Sequence, residues 1–443
     1  MATGIEERID RLTARPPRFP RVGVVAEVRG TTVVAVGLKA ALGEVCRIDV
    51  GGERPVWGEV SGFLPGGRVF LTPYGDLGGI AAGDQVVAVG RAAAVPVGPA
   101  LLGRALDGIG RPLDGRGPVF GFGRAVAPRP LSPLARLSVE EPLWTGIRVV
   151  DGLLTLGKGQ RVGIFAGAGV GKTTLLHQLM AGAAADVVVA ALVGERGREV
   201  SAFYRRLSGP LRRRTVLVAA TSDAAALLRV RAAETALTVA EAFRDQGKDV
   251  LLVMDSLTRV AMAQREHGLA SGEVASMRGY TPSVFHLLPR LLERAGRTAR
   301  GSITGLFTVL LEADDPTEPI GDAVRGILDG ALYLSRRLAQ AQHFPAVDVL
   351  ASLSRTMDEV VTEPHRRLAA EARAVLATLE EGRDLVQIGA YQPGSNPELD
   401  RALALETALK AWLRQGREEW CDPTQALADL SQILEGDGGH GTA

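Results

Sequence analysis

The chain has 443 residues, room for two or three domains of ordinary size, and its 46% hydrophobic and 23% charged content is that of a soluble globular protein. Its 51 Lys and Arg nearly balance its 50 Asp and Glu, so no global charge draws it to nucleic acid or an acidic membrane surface. Two cysteines, Cys46 and Cys421, stand in no metal-ligand spacing, which argues against a disulfide framework and fits a reducing cytoplasm.

Residues 1–20 begin with a short amphipathic helix, Ile5, Ile9 and Leu12 on one side, and lack the apolar core of a signal peptide. The apolar runs Val187–Val193 and Val250–Met254 are too short to span a bilayer, so any membrane association is expected to be peripheral. Over 21–92 the texture is short β-branched runs broken by glycine (VGVVAEV, TTVVAVG, EVCRIDV, RVFLTPY, DQVVAVG), the signature of a small β-barrel. A third stretch, 93–365, opens with a Pro/Gly-rich connector in which Leu101, Leu102, Leu106 and Leu113 have something to bury.

Beyond the connector, strands alternate with helices. RVGIFA, DVVVAALVG, TVLVAAT, DVLLVMD, SITGLFTVLL and ALYLSR are continuously apolar, as in a parallel sheet covered on both faces. Between two of them, DAAALLRVRAAETALTVAEAFRDQG has helical periodicity, with Ser222 as the expected N-cap. In 366–443 the strand signal stops and three helical patterns follow.

The strand RVGIFA ends in Ala166-Gly167-Ala168-Gly169-Val170-Gly171-Lys172-Thr173 and runs directly into the helical TTLLHQLM. Strand, glycine loop and helix together make a P-loop. Backbone N–H groups of Gly167, Ala168, Gly169, Val170, Gly171 and the helix start, through Thr174, are placed to converge on phosphate oxygens. Lys172 would reach the β- and γ-phosphates of ATP, and the Thr173 hydroxyl would ligate Mg²⁺. The strict pattern begins with glycine, and Ala166 departs from it; a residue this small is expected to fit the turn. Asp255, closing the apolar strand Val250–Met254, is the expected second Mg²⁺ carboxylate. Glu195, just past another buried strand, is the candidate for orienting or deprotonating the attacking water. A salt bridge to Arg196 or Arg198 is the plainer use for that carboxylate. Ligands gather at the carboxyl ends of parallel strands, so Lys172, Glu195 and Asp255 are expected to converge. The fold expected is α/β, a RecA-like P-loop core with a mainly parallel sheet between an N-terminal β-barrel and a helical C-terminal domain.

P-loop, Gly-Glu-Arg and Asp255-Ser-Leu-Thr-Arg259 resemble the hexameric ATPases related to the catalytic subunit of F-type ATP synthase. The chain is closest in pattern to the ATPases of bacterial type III protein export. VGERGREV, AEAFRDQGKDVLLVMDSLTRVAMAQRE, GYTPSVFHLLPRLLERAG, HFPAVDVLASLSR and RDLVQIGAY carry the likeness over 140–440, and LLGRALDGIGRPLDG extends it into the connector. The resemblance implies three further roles: Arg355 as an arginine finger entering a neighbouring subunit's site, Phe344 against adenine, and Arg259 as a helper that holds the site together. It implies a homohexamer on the cytoplasmic face of the membrane. Its expected partners are export-gate membrane proteins, a stator-like regulator, a central stalk protein, and export substrates with their chaperones, and no nucleic acid. RVAMAQRE and RDLVQIGAY favour the flagellar branch over the virulence injectisome. Two departures stand out: Val274-Ala275 replaces the family's paired prolines, and Ala313-Asp314-Asp315 replaces Gly-Asp-Asp. A non-catalytic nucleotide-binding subunit of the same lineage would not be expected to keep Glu195. An RNA translocase would want more aromatics in its barrel than Trp57, Phe63, Phe70 and Tyr74.

Overall fold

The computed structural model describes residues 21–51, 54–126, 132–311 and 318–436. The expected N-terminal amphipathic helix and the Ala313-Asp314-Asp315 departure lie outside the described residues.

Alternating β-branched residues close a six-stranded antiparallel barrel. Its strands, in spatial order, are Arg21–Arg29, Thr32–Val36, Arg68–Pro73, Val56–Leu64, Glu44–Asp49 and Gln85–Ala92. Val25, Val33, Ile48, Val60, Leu71 and Val86 point inward and are essentially fully buried. Five strands fall on the apolar runs of the sequence. The sixth, Val56–Leu64, is interrupted by Gly58, Glu59, Ser61 and Gly62; Gly58 has a packing reason, since a Cβ there would meet the Thr72 carbonyl oxygen at 2.7 Å, whereas Gly62 has open space around it. Cys46 is sealed inside the barrel, where burial first and the nearby Glu44 second push its thiol up to about 12, so it stays protonated and inert.

The chain divides into two compact units, the barrel up to Ala93 with His267–Glu273, and all the remaining residues. The second unit is built on a nine-stranded sheet. Its spatial order runs Val347–Ser354, Gly330–Leu334, Arg161–Ala166, Ser302–Leu310, Asp249–Asp255, Val187–Glu195, Thr215–Thr221, Ala105–Leu106, with Gly296–Arg297 paired beside Ser302–Leu310. The central strands are parallel and buried on both faces; all nine residues of Val187–Glu195 are buried. One apolar cluster covers each face. Two elements had no apolar run to announce them. Ala105–Leu106 of the connector extends one edge, and Val347–Ser354, antiparallel with alternating exposure, forms the other.

The helix Ala226–Arg244 fills the groove behind the sheet, but Ser222 does not cap it. The helix starts four residues later, after Ala225, with no side-chain cap. Instead the Ser222 N–H donates to the Glu195 carbonyl, tying the turn to the end of the neighbouring strand. The C-terminal helices Glu363–Gln387, Pro397–Leu413 and Pro423–Leu434 belong to the same unit as the sheet. Asn396 and Asp422 cap the last two through their side chains, each followed by proline at the first helical position.

Candidate functional site

The strand Arg161–Ala166 pairs with Ser302–Leu310 on one side and Gly330–Leu334 on the other, which fixes where the loop after it emerges. Ala166 is still part of that strand, fully buried and opposite Leu310 and Leu334, with no positive φ, so alanine in place of glycine costs nothing there. The conformations only glycine accepts readily come later, at Gly169 (φ 79°) and Gly171 (φ 90°). Gly171 caps the helix Lys172–Gly182, whose first N–H groups have no intrahelical acceptor and face the loop.

Three neighbouring strands then bring charge to the same end of the sheet. Asp255 closes its strand almost fully buried; the Thr308 hydroxyl, from the strand between, donates to it at 2.7 Å. The Lys172 ammonium is hydrogen-bonded to the same carboxylate oxygen and lies 3.8 Å from Glu195. Glu195, 6% exposed, takes an ion pair at 2.8 Å from Arg259 on the helix after Asp255. The Arg259 guanidinium also donates to the Gly194 carbonyl. Gly194 has to be glycine for this: it stands at φ 70°, and a Cβ there would touch the Arg259 stem at 3.0 Å. The carboxylate therefore pairs with Arg259 rather than with Arg196 or Arg198.

Burial above all, then a hydrogen bond with Glu199 and the charge of Asp255, push Glu195 up to about 7, against the opposing pull of Lys172 and Arg259. The shared proton holds Glu199 below the usual carboxylate range. A carboxyl poised near neutrality is able to accept a proton from water at working pH.

Beside this cluster a cavity of about 480 Å³ opens. Gly169, Val170, Gly171 and Thr174 form one wall, and Phe344 with Pro345 a second. The Phe344 ring lies so close to Gly171 that a Cβ there would sit 3.2 Å from it. A third wall, Arg414–Arg417, has no counterpart in the sequence reading. It follows the helix Pro397–Leu413 as an irregular segment, and besides local bonds to Ala411 and Glu419, tertiary bonds hold it in place. Gln415 donates its N–H to the Phe344 carbonyl at 2.8 Å, Gln178 of the P-loop helix donates to the Gly416 carbonyl at 2.8 Å, and Arg148 donates to the Trp412 carbonyl at 2.8 Å. No local periodicity signals such a wall.

Arg355 is not brought to this cluster. The edge strand Val347–Ser354 runs antiparallel to Gly330–Leu334, pairing Val347 with Leu334 at the P-loop end and Ser354 with Gly330 at the far end. Phe344 precedes that strand and Arg355 follows it, so its 8 residues, roughly 25 Å of extended chain, separate them. Arg355 is exposed, its N–H donating to the Asp329 carbonyl, and among the described residues no carboxylate pairs with its guanidinium.

Comparison with known proteins matches this architecture. Residues 146–354 fit the nucleotide-binding domain of the ATP synthase alpha/beta family, and 361–432 the C-terminal domain of the type III secretion ATPase EscN. The flagellum-specific ATP synthase of Treponema pallidum is 51% identical, covering 93% of each chain. The type 3 secretion system ATPase of Xanthomonas euvesicatoria is 46% identical, covering 97% of this chain and 96% of its own. The assembled EscN of enteropathogenic E. coli superposes with a TM-score of 0.88 at 44% identity, over 93% of this chain and 100% of that one. It has also been solved in complex with its central stalk EscO. The chain therefore belongs to the flagellar and type III secretion ATPases of the ATP synthase alpha/beta family, and it is an ATP hydrolase.

Proposed function

We propose that this protein is the ATPase of a flagellar type III protein export apparatus. It works as a homohexameric ring at the cytoplasmic face of the membrane, where ATP hydrolysis releases and unfolds export substrates. The observation that carries the reading is the division of the site. Lys172, Glu195, Asp255 and Arg259 lie together at one end of the sheet, while Arg355 stands at the other. A ring of identical subunits stacked head to tail supplies each P-loop with a neighbour's Arg355.

In this reading the N–H groups of residues 167–174 and the Lys172 ammonium hold the triphosphate. Adenine enters the cavity against Phe344. Glu195, oriented by Arg259, aligns the attacking water and takes its proton. Arg355 of the next subunit meets the charge that builds on the transferring phosphoryl group. The donor set fits Mg²⁺: the exposed Thr173 hydroxyl and the buried Asp255 carboxylate are hard oxygens, one or two of which suffice when phosphate and water complete the shell. Bound there, the ion supplies charge neutralisation at the β- and γ-oxygens.

Among the described residues no helix is long and apolar enough to cross a membrane, so contact with the export gate would be peripheral. The EscN–EscO complex supports a central stalk as partner, and the resemblance adds a stator-like regulator and chaperoned substrates. The 51% relative favours the flagellar branch; the injectisome reading has the EscN superposition in its favour. Expression in two strains of one flagellated, injectisome-bearing bacterium, one lacking its flagellar export ATPase and the other its injectisome ATPase, tests the choice. Restored filament export supports the flagellar reading, whereas restored injectisome secretion without filaments overturns it.

A further inference from the structure

The two halves of the divided site carry opposite charge on their outer surfaces. Past Glu195, residues 196–206, to the end of the helix that follows, contain Arg196, Arg198, Arg205 and Arg206 and a single acid, Glu199. Past Arg355, residues 356–365 contain Asp358, Glu359 and Glu363 and neither lysine nor arginine. Some of these charges are satisfied at home. Arg196 pairs with Glu199 at 3.7 Å, Arg205 donates to the Ser201 hydroxyl at 2.7 Å, and Glu363 pairs with Arg366 and Arg367. Arg198, Arg206, Asp358 and Glu359 are exposed, and among the described residues none of the four has an ion pair; of the two arginines, Arg198 stands nearer Glu195 in the chain.

Their mountings are fixed. Asp358 and Glu359 sit on the one-turn helix Met357–Val360, whose Met357 and Val360 are buried, so the two acids are held outward beside Arg355. Arg198 is the second residue of the helix Gly197–Arg206, anchored by the buried Phe203, and follows Glu195 by three positions. Asp358 and Glu359 follow Arg355 by three and four positions, as Arg198 follows Glu195 by three, so a finger seated on the γ-phosphate brings the two acids into the neighbourhood of Arg198.

We propose that Asp358 and Glu359 of one subunit dock against Arg198 of the next, and that this contact seats Arg355 beside the receiving subunit's Lys172 and Glu195. The inference rests on the shared-site reading above and adds the pair that sets its register. Arg198, Asp358 and Glu359 are positioning residues: they act through Arg355 and touch no phosphate. Opposed charges at a rim set alignment and encounter more than they set affinity, and like charges brought face to face are strongly unfavourable.

Charge exchange tests it. Arg198→Glu, the double change Asp358→Arg with Glu359→Arg, and all three together are compared by ATPase activity against protein concentration, by sedimentation, and by binding of a fluorescent ATP analogue. Each reversal alone is expected to raise the concentration for half-maximal activity about tenfold or more while analogue affinity stays within about twofold; the combined variant is expected to return within about threefold of the parent. A combined variant no better than the worse single reversal, or reversals without effect, would overturn the docking pair. Mixing Arg355→Ala with Glu195→Gln subunits separates the two failures. Recovered activity there, with no rescue by charge exchange, rejects the pair and keeps the shared site; no recovery in verified mixed assemblies rejects the shared site itself.

Discussion

The two ends of the central sheet use arginine and carboxylate in opposite ways. At the P-loop end, Lys172, Asp255, Glu195 and Arg259 are largely buried and already paired with one another, their positions fixed by strand ends and by Gly194. At the far end Arg161 is locked to Asp329 by two bonds of 2.9 and 3.0 Å, while Arg355 beside it is exposed and unpaired among the described residues. Buried charge is tolerated only when paired, and a preorganised cluster needs no rearrangement at the moment of reaction. On the proposed shared-site reading the exposed arginine is the part held for a partner, and the comparison then puts completeness in the ring and not in the subunit.

Removing the exposed member should hurt most. Arg355→Ala is expected to lower kcat by about 10³–10⁵ while ATP binding to the subunit stays close to normal, measured by turnover beside analogue titration. A rise in KM with kcat unchanged would mean that Arg355 serves binding and not the transition state. Glu195→Gln should cost about 10²–10⁴ in kcat, again with binding retained, because the isostere keeps the shape and loses the base. Unchanged turnover would remove Glu195 from the mechanism.

Smaller effects probe the cavity and the shared proton. Phe344→Ala should raise KM for ATP about tenfold with little change in kcat, and Phe344→Tyr should restore it; equal loss in kcat would place the ring in the chemical step. The acid limb of kcat/KM should fall as pH drops through about 7, since protonated Glu195 cannot accept the water's proton. Glu199 raises that pKa, so Glu199→Gln should move the limb to lower pH. An unmoved limb would assign it to another group, the ATP phosphate among them.

Much of this was legible beforehand, and what was not has a physical reason. Continuous apolar runs announce buried parallel strands, and a glycine loop between strand and helix announces phosphate, so Lys172, Glu195 and Asp255 could be named from spacing alone. The edge strand Val347–Ser354 alternates, carries serines and pairs antiparallel, which hides it among loops. Phe344 and Arg355 flank that strand, and only family resemblance singled them out. Gln415 is further still from any local signal: it joins the wall of the cavity through bonds to Phe344, Gly146 and Arg148, far from it in the chain, up to 269 positions in the case of Gly146. Ser222 shows the reverse error, a good cap by composition whose backbone was claimed by Glu195.

The central claim is that one subunit's finger completes another's cluster, and mixing two inactive proteins tests it directly. Arg355→Ala and Glu195→Gln should each be nearly inactive alone. Combined and reassembled, they should regain a fraction of parental activity, because some interfaces then join an intact Glu195 cluster to an intact Arg355. Verified co-assembly with turnover no higher than either variant alone would contradict the account.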